Sequence, residues 1–336
     1  MKAVVLVGGE GTRLRPLTLS APKQMLPIGG RPMIERVLEW LSLHGISEVV
    51  LSLGYRPDAF IDAYPYGESC GVRLRYAVEP SPLDTAGAIR FAAENAQVDE
   101  TFVVVNGDVL TDLDVSRLVA FHREHEAEAT IALTPVEDPS SFGVVPTDRT
   151  GRVEAFIEKP TKAEAPTNLI NAGTYVLEPS VLHRIPRGRK VSIERETFPE
   201  LVREGRLFAL GSDAAWLDAG TPATFLEANL VYAAHGAGVT LDGYARPWAV
   251  KGTPQATVRR SAIGANVELH EGSLIEGSVL MEGVVVGAGA RVIDSIVGPR
   301  ARIGDGARLE ALCVIGAGHT VEAGLAISGV RLPACP

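Results

Sequence analysis

The stretch Gly8-Gly9-Glu10-Gly11-Thr12-Arg13-Leu14-Arg15-Pro16-Leu17-Thr18 has the composition of an anion-binding loop. Its glycines let backbone N–H groups approach an anion closely, and Arg13 and Arg15 add charge that no working pH removes. Two familiar phosphate loops do not fit. A Walker A loop needs Gly-Lys ahead of Ser or Thr, and a GxGxxG fingerprint counted from Gly9 would need glycine where Leu14 stands. Two aspartates invite a metal. Asp108 follows an apolar run and an Asn106-Gly107 turn, which predicts a place at the carboxyl edge of a parallel sheet, where ligands bind. Asp218 lies in a second strand-to-turn segment, LDAGTP. Two carboxylates from distant segments can hold one Mg²⁺, which takes one or two carboxylates plus phosphate oxygens. The alternative for each is a turn or helix-cap aspartate, common at such places. No Ser/His/Asp or Cys/His arrangement suggests a covalent intermediate.

The elements that must carry these residues read as two halves. Residues 1–235 alternate strand-like and helix-like segments: strand Lys2–Val7, helix Pro32–His44, strand Glu48–Leu53, helix Pro57–Tyr64 and strand Val72–Val78. Helix Asp84–Ala96, strand Thr101–Val105 and a helix near Asp114–Glu126 follow. That order predicts βαβ units and a Rossmann-like α/β fold with a mixed, mostly parallel sheet. From Ala129 to Val176 the pattern turns strand-rich, as in an insertion or a mixed sheet edge. Residues 236–254 are rich in Gly and Pro without periodicity and read as a linker. From 255 to 336 aliphatics recur by six, with two five-residue steps: Ile263, Leu269, Ile275, Met281, then Val286, Val292, then Val297, Ile303, Leu309, Ile315, Val321, Ile327. Such hexapeptides predict a left-handed parallel β-helix of a little over three coils. Its exposed end edges make homo-oligomerisation through this domain an expectation.

Composition narrows the function classes. The chain has 336 residues, 46% hydrophobic and 22% charged, as expected of an ordinary globular protein of two domains. With 32 Lys+Arg against 41 Asp+Glu its net charge is −9, and it has no basic block. Neither nucleic acid nor an anionic membrane is an expected partner. No apolar run approaches the ~20 residues of a membrane span, and the N-terminal run is too short for a signal peptide. Three scattered cysteines, Cys70, Cys313 and Cys335, form no disulfide framework, which suits a reducing cytoplasm. His122 and His125 stand three apart in FHREHEAEAT and read as part of a charged, solvated helix face. His270 and His319 in the hexapeptide half have nothing beside them that suggests acyl transfer.

The motifs also carry a resemblance. GGEGTRLRPLT followed by PKQMLPIGGRPM resembles the N-terminal signature of sugar-1-phosphate nucleotidylyltransferases. NGDVL at 106–110, FGVV at 142–145, FIEKP at 156–160, NAGTYVL at 171–177 and WLDAGTP at 216–222 fall in that family's order, and the hexapeptide tail is one that many members carry. Through VSIERETFPELV at 191–202 and INAGTYVLEP at 170–179 the chain is most similar to the mannose-1-phosphate guanylyltransferases of that family. The resemblance implies a Mg²⁺-dependent attack of mannose 1-phosphate on the α-phosphorus of GTP, forming GDP-mannose and pyrophosphate. The nucleophile is already an anion, so no protein base is required. Rivals are a glucose-1-phosphate thymidylyl- or uridylyltransferase and a catalytically silent regulatory paralogue.

Residue by residue, the resemblance implies that Asp108 and Asp218 hold the metal. Arg13 would meet the leaving pyrophosphate and Lys23 the α-phosphate. Gly8, Gly9, Gly11, Thr12 and Gly87 would line the nucleotide. Lys159 would hold the sugar phosphate, Glu158 and Asn171 the sugar hydroxyls, with Asn106, Gly143 and Gly173 beside them. Glu79 precedes PSPLDTAGA at 80–88, where relatives choosing a pyrimidine usually carry Gln. A carboxylate accepts twice and suits the adjacent N1–H and N2–H₂ donors of guanine, so Glu79 is expected to contribute to base choice.

Overall fold

A computed structural model describes residues 1–234, 250–252 and 255–334. They fall into two compact units, one of Met1–Gly9 with Ile34–Leu217 and one of Glu10–Met33 with the chain from Asp218 onward. The Gly-rich stretch is therefore divided between units at Gly9. The linker expected over 236–254 lies, apart from strand Val250–Gly252, outside the described residues.

The first unit is built on one mixed sheet. Besides the two-residue edge strand Glu68–Ser69, which pairs with Val72–Val78, its strands are β1 Lys2–Leu6, β2 Glu48–Leu53, β3 Val72–Val78, β4 Phe102–Asn106, β5 Ala129–Pro135, β6 Gly143–Val144, β7 Ile157–Glu158, β8 Leu169–Leu177 and β9 Leu207–Gly211. The order runs β7-β6-β8-β4-β1-β2-β3, with β5 also on β8 and β9 on β5. β3, β2, β1 and β4 are mutually parallel, and β8 runs antiparallel to both β4 and β5. Parallel strands covered on both faces read as continuous aliphatic runs. Ala3 to Val5 and Val103 to Val105 are fully buried in this way. The strand-rich stretch after Ala129 is the mixed edge, and β8 carries an irregularity between Asn171 and Tyr175. Helices α1 Asp84–Asn95 and α2 Val115–Glu124 cross between strands. Asp114 caps α2, its carboxylate accepting from Arg117 N at 3.1 Å.

Two local expectations are corrected in this half. The helix expected from Pro32 begins at Met33, because Arg31–Pro32 is spent in a two-residue strand against Pro27–Ile28. The histidines of FHREHEAEAT do not face solvent. His122 is 1% exposed, its Nδ1 2.8 Å from Thr130 Oγ1 and its Nε2 3.1 Å from Glu178 Oε1. Burial holds its pKa below the ordinary histidine value, against the opposing pull of Glu178. His125 stacks on Phe121, ring centroids 4.0 Å apart. The charged neighbours disguised a helix face that packs on β5 and β9.

The second unit contains the 10–33 segment, helix α3 Pro222–Ala234 and the repeat domain. The repeat domain is three parallel sheets of five short strands each, consistent with a left-handed β-helix. Its rungs advance by 17 residues, as from Ile263 to Leu280 and Leu280 to Val297, and once by 18, from Val297 to Ile315. This corrects the expected phasing. Leu280, not Met281, is the inward residue of its rung, so a five-residue step falls before it and not after. Five rungs replace the expected three-plus, because strands at 250–252 and 257–259 precede the legible repeat and Arg331–Leu332 follows it. At one corner Ser261, Ser278 and Ser295 form a ladder, each hydroxyl accepting from the N–H one rung on, ending at Cys313 N.

Candidate functional site

In the first unit the candidate residues gather at the carboxyl ends of the parallel strands. β1 runs into Gly8, whose carbonyl accepts from Tyr55 N at 3.1 Å just beyond β2. A Cβ on Gly8 would stand 3.1 Å from Glu79 Oε1 and 3.3 Å from Gly54 N, so three strand ends meet around this glycine. Nothing lies within 4 Å of a Cβ on Gly9, which borders open space. Glu79 is half-buried and already engaged. Its Oε1 accepts from Ser52 Oγ at 3.0 Å and its Oε2 from Leu83 N at 3.1 Å. Burial raises its pKa, and these two hydrogen bonds oppose the rise. The carboxylate therefore pins the turn that leads into α1, a duty the sequence does not advertise. Each oxygen keeps a further lone pair. Gly87, in the first turns of α1, lies where a Cβ would be 2.7 Å from Arg189 O, so the close approach of the 189–191 segment requires glycine there.

Asp108 is reached through a tight β4 exit. Gly107 N donates to Leu6 O at 3.0 Å, and a Cβ on Gly107 would be 2.6 Å from Val7 Cγ1. Asn106 is packed against the β8 irregularity: a Cβ on Gly173, whose φ is +74°, would be 2.7 Å from Asn106 Nδ2. Asn171 stabilises that same irregularity. Its Oδ1 accepts from Gly173 N and its Nδ2 donates to Tyr175 OH, both at 2.9 Å. Tyr175 is fully buried, and burial first, with the charges of Glu194 and Glu158 adding, raises its pKa. A second group forms around β6 and β7. Glu158 Oε2 is 3.3 Å from a Cβ on Gly143, and Lys159 Nζ is 3.7 Å from Glu158 Oε1. Lys159 has φ +52°, an unusual backbone for a non-glycine, held by its N–H donating to Phe142 O at 3.0 Å. Phe142 meets Trp216 edge-on at 5.6 Å, and the indole N–H donates to Ala172 O. The structure thus joins Asn106, Asn171 and Gly173, and separately Gly143, Glu158 and Lys159.

In the second unit the loop closes on itself as a single 3₁₀ turn over Thr12–Leu14. Gly11 is left-handed at φ +62°, and Thr18 Oγ1 donates to its carbonyl at 2.9 Å. A Cβ on Gly11 would stand 3.1 Å from Lys23 Cβ, so the lysine's root packs on the loop. Arg13 and Thr12 are exposed. Asp218 Oδ1 accepts from Gly220 N at 2.8 Å. A Cβ on Gly220 would be 2.7 Å from both Asp218 Oδ1 and Arg13 Nη2, so a residue before the first helix and one past 200 converge on a single glycine. One group was missed by sequence reasoning. Gln24, 1% exposed beside Lys23, has a side-chain oxygen with no hydrogen-bond partner among the described residues. Its place between Lys23 and Met25 in PKQM gives no sign that it is buried.

Comparisons with known proteins identify the two parts of the chain. Residues 2–235 match the nucleotidyl transferase family model, and residues 252–335 match that of the GMPPB C-terminal domain. A mannose-1-phosphate guanylyltransferase of Mycobacterium tuberculosis is 40% identical over 316 residues, covering 93% of this chain and 82% of the relative. A mannose-1-phosphate guanyltransferase of Candida albicans is 38% identical, covering 99% and 95%. Among solved structures, HddC from Yersinia pseudotuberculosis complexed with GMP-PN superposes with a TM-score of 0.60 at 28% identity, covering 69% of this chain and 99% of that one.

Proposed function

The chain belongs to the nucleotidyl transferase family, and from that premise we propose that it transfers a guanylyl group from GTP to mannose 1-phosphate, forming GDP-mannose and releasing pyrophosphate. The observation that carries the substrate choice is the 38–40% identity to enzymes of that name across both the α/β and β-helix parts. The attacking sugar-phosphate oxygen is already anionic, so the protein's task is to align two polyanions and offset their charge.

The residues divide that task. Arg13 meets the leaving pyrophosphate and Lys23 the α-phosphate, while backbone from Gly8 to Thr12 cradles the phosphates, the space beside Gly9 receiving one of them. Gly87 lets the 189–191 segment close behind the nucleoside. Lys159 holds the sugar phosphate from its constrained backbone. Glu158 and Asn171 bind sugar hydroxyls, with Asn106, Gly143 and Gly173 shaping the floor. Glu79 accepts from guanine with the lone pairs that Ser52 and Leu83 leave over.

Among the described residues no three His, Cys, Asp or Glu side chains form an all-protein metal cage. Mg²⁺ does not need one, since one or two carboxylates with phosphate oxygens and water complete its shell. Asp108 and Asp218 are the donor chemistry that suits it, and when bound it supplies charge neutralisation on the triphosphate. On this reading residues 1–235 are the catalytic domain and 255–336 a β-helix through which the enzyme self-associates. A cytoplasmic setting is supported by the cysteine usage, three scattered residues with no disulfide framework in the sequence. No helix among the described residues is long and apolar enough to cross a membrane.

The test is a panel of GTP, ATP, UTP and dTTP against mannose and glucose 1-phosphates, read as pyrophosphate release. GTP with mannose 1-phosphate is expected to give the highest kcat/KM. A preference for dTTP or UTP with glucose 1-phosphate overturns the assignment. In the same panel, Glu79→Gln is expected to narrow the GTP-over-dTTP ratio by about 10-fold, the discrimination of one or two base contacts. An unchanged ratio removes Glu79 from base reading and leaves it only the turn it pins.

A further inference from the structure

The outward row on one sheet of the β-helix runs Ala262, Val279, Ile296, Val314, Arg331 in register. The first four are buried although they point away from the coil axis, and α3 packs against the strands of the first two. The fifth position breaks the aliphatic series with an arginine. Arg331 Nη1 donates to Arg13 O at 2.9 Å and stands 3.5 Å from Arg15 O. The next residues reinforce the contact. A Cβ on Gly316 would lie 3.2 Å from Pro16 Cβ and 3.1 Å from Pro333 Cδ, so a side chain there would push the loop a few tenths of an ångström off the last coils.

The carbonyls concerned are those the turn leaves over. Within the Thr12–Leu14 turn, Leu14 N and Arg15 N take the carbonyls of Gly11 and Thr12 at 2.9 and 3.2 Å. The turn's end exposes the carbonyls of 13 and 15, and a cationic donor is the favoured partner for such an end. We infer that Arg331, from the last coil of the β-helix, is a positioning residue for nucleotidyl transfer: it fixes the backbone of Arg13 so that the Arg13 guanidinium is held beside Gly220 and Asp218. The β-helix then has a part in the chemistry besides assembly. The inference rests on the role proposed above for Arg13.

The experiment uses the full chain with Arg331→Ala, Arg331→Lys, Arg13→Ala and the double variant. The assay employs whichever nucleoside triphosphate the unmodified protein turns over best, so a wrong base assignment fails separately. Arg331 is exposed, so the melting temperature is expected to stay within about 2 °C. kcat/KM for the triphosphate is expected to fall about 3- to 10-fold in Arg331→Ala, the range of one lost hydrogen bond, with KM for the sugar phosphate unmoved. Lysine, which keeps the charge on a flexible ammonium without the planar fork of the guanidinium, is expected to restore part of the loss. On an Arg13→Ala background the Arg331 substitution is expected to cost nothing further. A readout independent of turnover is hydrogen–deuterium exchange of the 10–20 peptide, expected to quicken in Arg331→Ala. Unmodified kinetics, a loss fully additive with Arg13→Ala, or unchanged exchange each overturns the inference.

Discussion

Gly220→Ala is the sharpest probe of the candidate site. The added methyl would arrive 2.7 Å from Arg13 Nη2 and 2.7 Å from Asp218 Oδ1. Gly220 does not need glycine for its backbone, since its φ lies outside the left-handed region. The substitution therefore acts on its neighbours alone. Restoring a contact of about 3.5 Å requires each group to retreat by roughly 0.8 Å. The guanidinium is the far end of a flexible side chain and can swing away at little cost. The carboxylate is tied to Gly220 N at 2.8 Å, so its retreat also loosens that bond. A misplacement of about 1 Å in a positioned group can cost on the order of 10²-fold in rate. The expected outcome is a 10- to 100-fold fall in kcat/KM for the triphosphate with a melting temperature within a few degrees of the unmodified protein. Steady-state kinetics beside a thermal melt measure both. A variant that melts normally and retains its rate within two-fold would show that the geometry of Arg13 and Asp218 has no part in the reaction.

Two further outcomes are expected. Replacing both Asp108 and Asp218 with Ala should lower turnover by at least on the order of 10³-fold, since each removes charge-placing capacity comparable to an oxyanion donor; a double variant at the unmodified rate would dismantle the metal assignment. His122, whose pKa burial holds below the ordinary 6.5, is neutral in the fold and takes up a proton more readily when unfolded. Stability should therefore rise with pH between its folded pKa and about 6.5, and be lost as pH falls through that window. Melting curves from pH 5 to 8 should show a steeper acid decline in the unmodified protein than in His122→Asn, and equal slopes would contradict the burial argument.

What could be read ahead of the structure follows from how locally each feature is encoded. The parallel strands were legible because burial on both faces demands runs such as Val103-Val104-Val105. The β-helix was legible because every inward position carries the same constraint. Its phase slipped at Met281 because Leu280 and Met281 are both aliphatic and both buried, at 0% and 2% exposure, so periodicity cannot say which points to the axis. The histidine face misled for a related reason. Arg123, Glu124 and Glu126 are exposed as their charge suggests, yet they flank a stripe that packs inward. Composition averages over a helix's circumference; burial depends on one side of it.

The site was legible as types and order and illegible as partnership. Nothing in GGEGTRLRPLT says that Gly9 and Glu10 fall in different compact units, or that the loop is seated on coils some 300 residues later through Gly316 and Arg331. Those contacts pair backbone carbonyls and a missing Cβ with distant side chains, and neither a carbonyl nor an absent methyl has a residue-type signature. Glu79 makes the same point from the other side. Its carboxylate was readable as a guanine acceptor because residue type limits what a side chain can accept, while the Ser52 and Leu83 bonds that occupy half its capacity depend on a turn of backbone. A specificity residue that also pins a loop will not exchange freely for its isostere. A Gln amide accepts only through its oxygen, so Glu79→Gln keeps both bonds in a single orientation: the oxygen accepting from Leu83 N, and the NH₂ donating to the Ser52 hydroxyl, whose own proton can turn to Ala88 O 3.4 Å away. In the opposite orientation the Leu83 bond is lost, so a change in base preference that comes from a flipped amide should be accompanied by quicker amide exchange at residues 80–84. A preference that shifts while those amides stay protected would mean that base reading and loop pinning are separable functions of the same carboxylate.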